Sequence, residues 1–294
     1  MATHLTTDRY KQKDFFIADI FDVSPKDDLA SMEHPLFALK AGDKRVRHYE
    51  HNGTTVDVYP GSWGLATIHD KDIWIYCISQ LVEAINRERE DIQRTVRFTA
   101  YDFLKTTNRR TDGDSYNRMA DALNRLQSTT INTSIETDSY RERAGFSLID
   151  SWRVIERSPN DNRMVAVEVT LPDWLFRSVR SMKVLTLSPD YFLLRKALDR
   201  RVYELARKHC GNQPKWTISV ATLHKKTGST SPLKKFRFDI KSLAQSNELP
   251  GYRVAYEDSS DMLHFYARGT KGARIQISDM IKKSNLLPKT QRPK

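Results

Sequence analysis

An α+β fold in two similar halves is what the sequence predicts, and three observations predict it. Residues 216–247, WTISVATLHKKTGSTSPLKKFRFDIKSLAQSN, read as a short strand, a short helix, a tight turn and a longer basic helix. The same order occurs earlier: Phe98-Thr99-Ala100-Tyr101-Asp102-Phe103 corresponds to Ile218-Ser219-Val220-Ala221-Thr222-Leu223. Both following helices carry apolar stripes at intervals of three, four and three, Tyr116, Met119, Leu123, Leu126 and Leu233, Phe236, Ile240, Leu243. A β-rich pair follows each, residues 129–137 with 145–156 and residues 252–256 with 262–266. A helix-turn-helix followed by a hairpin is the layout of a winged-helix domain, so the expectation is tandem winged-helix domains. The expected division is an N-terminal arm (1–31), two domains (32–180 and 181–270) and a basic tail (271–294).

Taken in order, the arm contains DFFIADIFDV at 14–23, whose Phe15, Phe16, Ile17, Ile20 and Phe21 would share one face of a short helix. That segment packs on its own domain or serves as a motif for a partner or a second copy. Ser24-Pro25-Lys26-Asp27-Asp28 reads as a loop. Residues 45–58 alternate around Asn52-Gly53, a two-residue hairpin signal. Residues 70–89 place Ile73, Tyr76, Cys77, Leu81, Ala84 and Ile85 at helical spacing, with charges gathered at both ends, and read as a core helix. Thr99 with Asp102 resembles a capping box opening a short helix. The turn at 108–114 is three residues longer than its counterpart, and residues 145–156 are read as one strand of a wing. Residues 164–171 add a strand, and Pro172 opens a short helix. Ser188-Pro189 and Gly211 bracket one long helix, its stripe Tyr191, Leu194, Leu198, Val202 and Leu205; Arg195, Lys196, Arg200, Arg201, Arg207 and Lys208 decorate the rest and mostly solvate it.

Charge narrows the function classes. Forty-eight Lys and Arg against 37 Asp and Glu give a net charge of +11, which favours a polyanionic partner over an acidic small substrate. The two cysteines, Cys77 and Cys210, lie among apolar residues as buried free thiols, which fits a reducing compartment. No apolar run is long enough to cross a bilayer and no signal pattern opens the chain, so the expectation is a cytoplasmic protein with no membrane partner.

Chemistry-bearing motifs are scarce. His48 and His51 stand three apart in a hairpin without a third ligand, and no Cys/His set has metal spacing. No His-apolar-His pair of a nicking enzyme, no GxxxxGK[ST] loop and no GxSxG turn occurs; GSTS at 228–231 sits between helices rather than after a strand. Asp70, Asp72 and Asp173 fit helix N-termini. The reading is therefore a non-enzyme without cofactor, binding double-stranded DNA. In the second domain the candidate DNA contacts are Lys234, Lys235, Arg237, Phe238 and Lys241 on the longer helix, Ser229, Thr230 and Ser231 at its start, and Lys225 and Lys226 before the turn. An outward Phe238 packs on the wing or meets a thymine methyl. In the first domain the candidates are Arg109, Arg110, Asn117 and Arg118, among Asp112, Asp114 and Asp121.

The blocks DKDIWIYCISQLVEAIN, TVRFTAYDFL, FSLIDSW, VEVTLPDWLF, LRKALDRRVYELARKHCG and LHKKTGSTSPLKKFR resemble the replication initiator protein A family of bacterial plasmids and related replicons, over residues 32–265. The resemblance implies a plasmid initiator that binds repeated origin sequences, helps open the duplex and recruits host replication proteins such as a helicase or initiator. By analogy it also implies a monomer on the origin and a homodimer repressing its own promoter. A winged-helix repressor without initiator activity and an origin-nicking enzyme are the alternatives.

Overall fold

The computed structural model describes residues 16–17, 23–51, 54–136, 141–158 and 161–286. In chain order these form β1 (Phe16–Ile17), β2 (Lys26–Asp28), α1 (Leu29–Glu33), β3 (Arg47–His51), β4 (Thr54–Tyr59), α2 (Lys71–Asn86), β5 (Thr95–Phe98), α3 (Ala100–Thr106) and α4 (Gly113–Ser128). Next come β6 (Thr130–Glu136), β7 (Arg141–Ser147), β8 (Ser151–Ser158), β9 (Asp161–Thr170), α5 (Asp173–Arg180), β10 (Val184–Thr186), a 3₁₀ turn (Pro189–Leu193) and α6 (Ala197–Cys210). The chain continues through β11 (Lys215–Ser219), α7 (Val220–Thr227), α8 (Leu233–Ser246), β12 (Tyr252–Glu257), β13 (Met262–Ala267) and α9 (Thr270–Leu286).

The internal repeat is real at the level of strand order. β11-β13-β12 form one sheet and β5-β9-β8 form another, so in each half the strand before the first helix pairs with the second strand of a later hairpin. Even the capping matches: the Thr99 hydroxyl accepts from Asp102 N–H at 3.1 Å, and the Ser219 hydroxyl accepts from Thr222 N–H at 3.2 Å.

This topology corrects the first wing. Residues 145–156 are not one strand, because the chain leaves β7 at Ser147, turns inward at the fully buried Leu148 and Ile149, and starts β8 at Ser151. The Trp74 indole N–H donates to the Leu148 carbonyl at 2.7 Å and Asp150 N–H donates to Thr170 O, which fixes the bend. The hairpin equivalent to β12–β13 is therefore β8–β9, while β6–β7 joins β3–β4 in a separate sheet of order β3-β4-β6-β7. The hairpin strands expected around Asn52-Gly53 pair as β3 and β4, and the turn itself lies outside the described residues.

Four further expectations change. Phe16–Ile17 is a strand parallel to β5 rather than part of a helix, and the rest of its cluster through Phe21 lies outside the described residues. Lys26–Asp28 is a strand against β10, not a loop. The three extra residues before Tyr116 form the first turn of α4, whereas α8 begins at Leu233 itself. The helix expected from Pro189 to Cys210 breaks at Leu194 and Lys196, both extended. Arg200 explains the break: its Nε donates to the freed Leu194 carbonyl at 2.7 Å while Nη1 reaches Asp72 at 2.5 Å.

The apolar interior forms two clusters. One gathers Leu36 to Val179; the other gathers Leu187 to Phe265 and, from the N-terminal part of the chain, Met32 and Ile75. Helix α2 supplies both, with Trp74, Cys77 and Leu81 in the first cluster and Ile75 in the second, so it is buried on every side from Lys71 to Val82. The sequence predicted a helix with one buried stripe; contact with two lobes removes the solvent face. Cys77 and Cys210 are buried and free, and burial pushes both thiols up.

The seam between the lobes is ionic. Lys71 Nζ, with a fully buried side chain, donates to Asp27 at 2.6 Å and lies 3.1 Å from Glu204 of α6. Glu204 also accepts from Tyr191 Oη at 2.9 Å and Arg201 Nη1 at 3.0 Å. Arg201 is 2% exposed and donates to the carbonyls of Met32, Glu33 and Lys226, so it and Arg200 are seam residues and do not solvate the helix. Burial pushes the Asp27 carboxyl up to about 7. Burial, with Arg200 nearby, moves His69 down to about 4. A histidine whose folded value lies below its unfolded one contributes stability that is full above about pH 6.5 and is lost as pH falls toward 4. His69→Gln is accordingly expected to flatten the dependence of unfolding free energy on pH across that window, as read by urea titrations at several pH values.

Candidate nucleic-acid interface

Helix α8 turns Phe236, Ile240 and Leu243 into the second core and its opposite side to solvent. With consecutive residues about 100° apart, Lys234, Phe238, Lys241 and Gln245 fall within about 60° of one another on that outer side. Lys234, Phe238 and Gln245 are exposed, and Lys241 is partly exposed. Lys225 and Lys234 carry no salt bridge among the described residues. Lys235 is held by Asp239 at 2.6 Å, one turn along the helix.

The flank of α8 is tied to its hairpin. Arg237 grips Asp261, in the β12–β13 turn, through two bonds of 2.8 and 2.9 Å, and Tyr256 Oη donates to the same carboxylate at 2.7 Å. These bonds, the Arg237 guanidinium foremost, hold the Asp261 carboxyl down at about 2. Lys241 pairs with Asp258 and lies 4.7 Å from the Tyr256 ring centre. Two of the expected DNA contacts therefore brace the hairpin against the helix in the free protein, and the brace sets where the hairpin points relative to α8.

The turn before α8 is built on Gly228, at φ +66°. Ser231 N–H donates to the Ser229 hydroxyl at 3.3 Å, and the Ser231 carbonyl lies 2.8 Å from His224 Nε2, which leaves Thr230 at the exposed tip. The turn also packs on the first lobe. A Cβ at Gly228 would stand 2.8 Å from Pro35 Cβ and 2.9 Å from Arg47 Nη1. Gly228→Ala is expected to lower stability by about 1–2 kcal/mol, the left-handed backbone alone accounting for that much, as measured by thermal unfolding.

Other expected contacts are engaged in the seam. Lys226, Lys208 and His209 surround Glu33 of α1, and the His209, Lys226 and Lys208 bonds together hold that carboxyl well below its usual range. Arg109 binds Asp72 at 2.7 Å and the His69 carbonyl at 2.5 Å, sharing Asp72 with Arg200. Asp72 is thus the shared anchor of two arginines from different lobes. Asp70 caps Thr67 N–H at 2.8 Å and takes a two-bond contact from Arg125.

On the first lobe Asn117 and Arg118 are exposed on α4, with Arg118 3.8 Å from Asp112, and Arg110 lies 3.0 Å from the same carboxylate. The outward side of α4 continues through Asp121 and Asn124. This helix is the less cationic of the two. Sequence reasoning missed Gln245, which the helical period places on the outer side of α8, and Arg253, exposed on β12. His48, exposed, pairs with Asp57 at 2.6 Å, and among the described residues no group of three or more His, Cys, Asp or Glu could hold a metal. No helix among them is long and apolar enough to cross a membrane.

Comparisons with known proteins show the family and a shared fold. The model of the family described as Replication initiator protein A matches residues 26–254. A protein of Wigglesworthia glossinidia brevipalpis described as "Putative replication protein" is 43% identical over 260 residues, covering 88% of this chain and 94% of that one. Among solved structures, the selenomethionine form of domains 2 and 3 of RctB superposes with a TM-score of 0.61 at 10% identity, covering 82% of this chain and 98% of that one. A second structure of RctB domains 2–3 gives a TM-score of 0.55 at 9% identity, covering 84% and 99%. At these identities the likeness concerns the fold. The family match spans both lobes and the ionic seam between them, and by it the chain belongs to the replication initiator protein A family.

Proposed function

We propose that the protein is a plasmid replication initiator that binds repeated origin sequences in double-stranded DNA through two winged-helix heads, α3–α4 with β8–β9 and α7–α8 with β12–β13. The observation that carries the reading is the outer side of α8, where the exposed Lys234 and Gln245 present the donors that grip guanine and adenine edges in a major groove. A hairpin braced to that helix by Arg237 and Asp261 supports it. The second head supplies most of the affinity and the first, with Asn117, Arg118 and Arg110, extends the site. The protein acts without catalysis or cofactor: it helps open the duplex, recruits host replication proteins, and represses its own promoter, as a dimer there.

The test is fluorescence anisotropy of the full chain on duplexes carrying the short direct repeats that flank its gene, against shuffled duplexes of equal composition. Preference for the repeats, with affinity falling steeply as salt rises, is the expected result. Equal binding to both would overturn the reading. A plasmid bearing the origin should replicate only when the protein is supplied; repression without replication would favour a repressor. Supercoiled origin DNA with a divalent metal should yield no covalent protein adduct.

A further inference from the structure

Phe238 is 65% exposed on the outer side of α8, while Phe236, two positions earlier, is 1% exposed in the core. An aromatic ring left mostly in water gains little from burial within the chain. The ion pairs that tie α8 to the β12–β13 hairpin are made by the ring's neighbours Arg237 and Lys241, with Asp261 and Asp258. The Lys235 ammonium lies 5.0 Å from the ring centre and is also bonded to Asp239. The ring is thus flanked along the helix by Lys234 and Lys241 and carries Lys235 over it. That surround excludes a basic partner and suits a polyanion.

Resting on the DNA-binding reading above, we propose that Phe238 is a specificity-determining residue that contacts the 5-methyl group of a thymine in the major groove. The outer side of α8 then holds three kinds of base reader. Lys234 is a donor for guanine O6 and N7, Gln245 is a two-bond partner for adenine N6 and N7, and Phe238 is the apolar surface that matches the one apolar group exposed in that groove. With Phe238 midway between Lys234 and Gln245, the thymine it reads lies inside the repeat, not at its edge. On approach to the duplex, Lys235 is placed to exchange the Phe238 ring and Asp239 for a phosphate.

The experiment uses the full chain and the duplex it selects most strongly from a randomised library. Each thymine is replaced singly by deoxyuridine, which removes the methyl and leaves every hydrogen-bonding group. Expected is a loss of about fourfold at one or two internal positions, the equivalent of about 0.8 kcal/mol for one methyl-sized group taken out of a buried contact. Phe238→Ala should bind the unmodified duplex more weakly and show no further loss on the uracil duplexes, whereas Phe238→Leu should keep part of the sensitivity. Because the side chain is exposed, these variants should keep the wild-type circular dichroism spectrum and melting temperature. Indifference of the wild-type protein to every thymine replacement, or an unchanged uracil penalty in Phe238→Ala, would overturn the proposal while leaving DNA binding intact. Failure to enrich any sequence would remove the underlying reading as well.

Discussion

Lys71→Met is expected to destabilise the protein by about 3–5 kcal/mol, the usual consequence of removing one partner from a buried ion pair. Methionine fills nearly the same volume, so packing contributes little to the loss. What remains is Asp27 and Glu204, both fully buried, with the cation between them gone. Arg201 and Tyr191 still serve Glu204, but among the described residues Asp27 keeps only the Ser31 hydroxyl and the Asp28 N–H. Burial already raises the Asp27 carboxyl, and loss of Lys71 raises it further, so the mutant's deficit should shrink as pH falls and Asp27 takes up a proton. Urea unfolding at about pH 8 and about pH 5 reads both effects. A deficit below about 1 kcal/mol at the higher pH would mean that water reaches the seam. Adding Asp27→Asn should restore part of the loss.

Lys234→Ala should weaken binding to the cognate repeat by about 1–3 kcal/mol if its ammonium grips a base, with specificity relaxed at one position. A phosphate contact predicts a different pattern: similar weakening on cognate and shuffled duplexes, and a salt dependence reduced by about one unit of slope. Lys234 suits this test because it is exposed and carries no salt bridge among the described residues. Arg237→Ala would mix two losses, since the same guanidinium holds Asp261 and with it the hairpin turn. Wild-type affinity and salt slope in Lys234→Ala would remove α8 as the reading helix.

Local signals in the sequence carried the repeated unit well. The cap at Thr99, the turn before α8 and the stripes of α4 and α8 are each decided within a dozen residues and stand where the local pattern placed them, except Leu233, which opens the α8 stripe and is 37% exposed. Long-range partners decided the rest. Arg200 and Arg201 occupy positions that composition assigns to solvent, and the carboxylates of Asp72 and Glu204 together with backbone carbonyls, brought in by folding, make their burial favourable. Arg109 and Lys226 looked like DNA contacts for the same reason, being cations beside a turn, and the seam claims both. The β7 to β8 break was hidden because Phe146, Leu148, Trp152 and Val154 keep an apolar alternation that reads as strand, while the Leu148 backbone answers to Trp74 and Thr129 and the Asp150 N–H to Thr170. Gln245 was legible and overlooked, since charge drew the reading away from an amide on the same side of the helix.

The burial of α2 between two lobes has a consequence for biosynthesis. Lys71 and Asp72 emerge from the ribosome about 130 residues before Arg200 and Glu204, their partners on α6, so at ordinary elongation rates the helix waits on the order of ten seconds for its covering surface. Until then a lysine, an aspartate and Ile75 that end in the buried interior face solvent or whatever chaperone meets them. A shortened chain ending near residue 180 is frozen in that half-covered state and should be sticky and readily proteolysed, which makes it a poor stand-in for the N-terminal lobe of the whole chain. The initiator should appear in the cell as a single late event, competent only once α6 has closed over the helix made long before it.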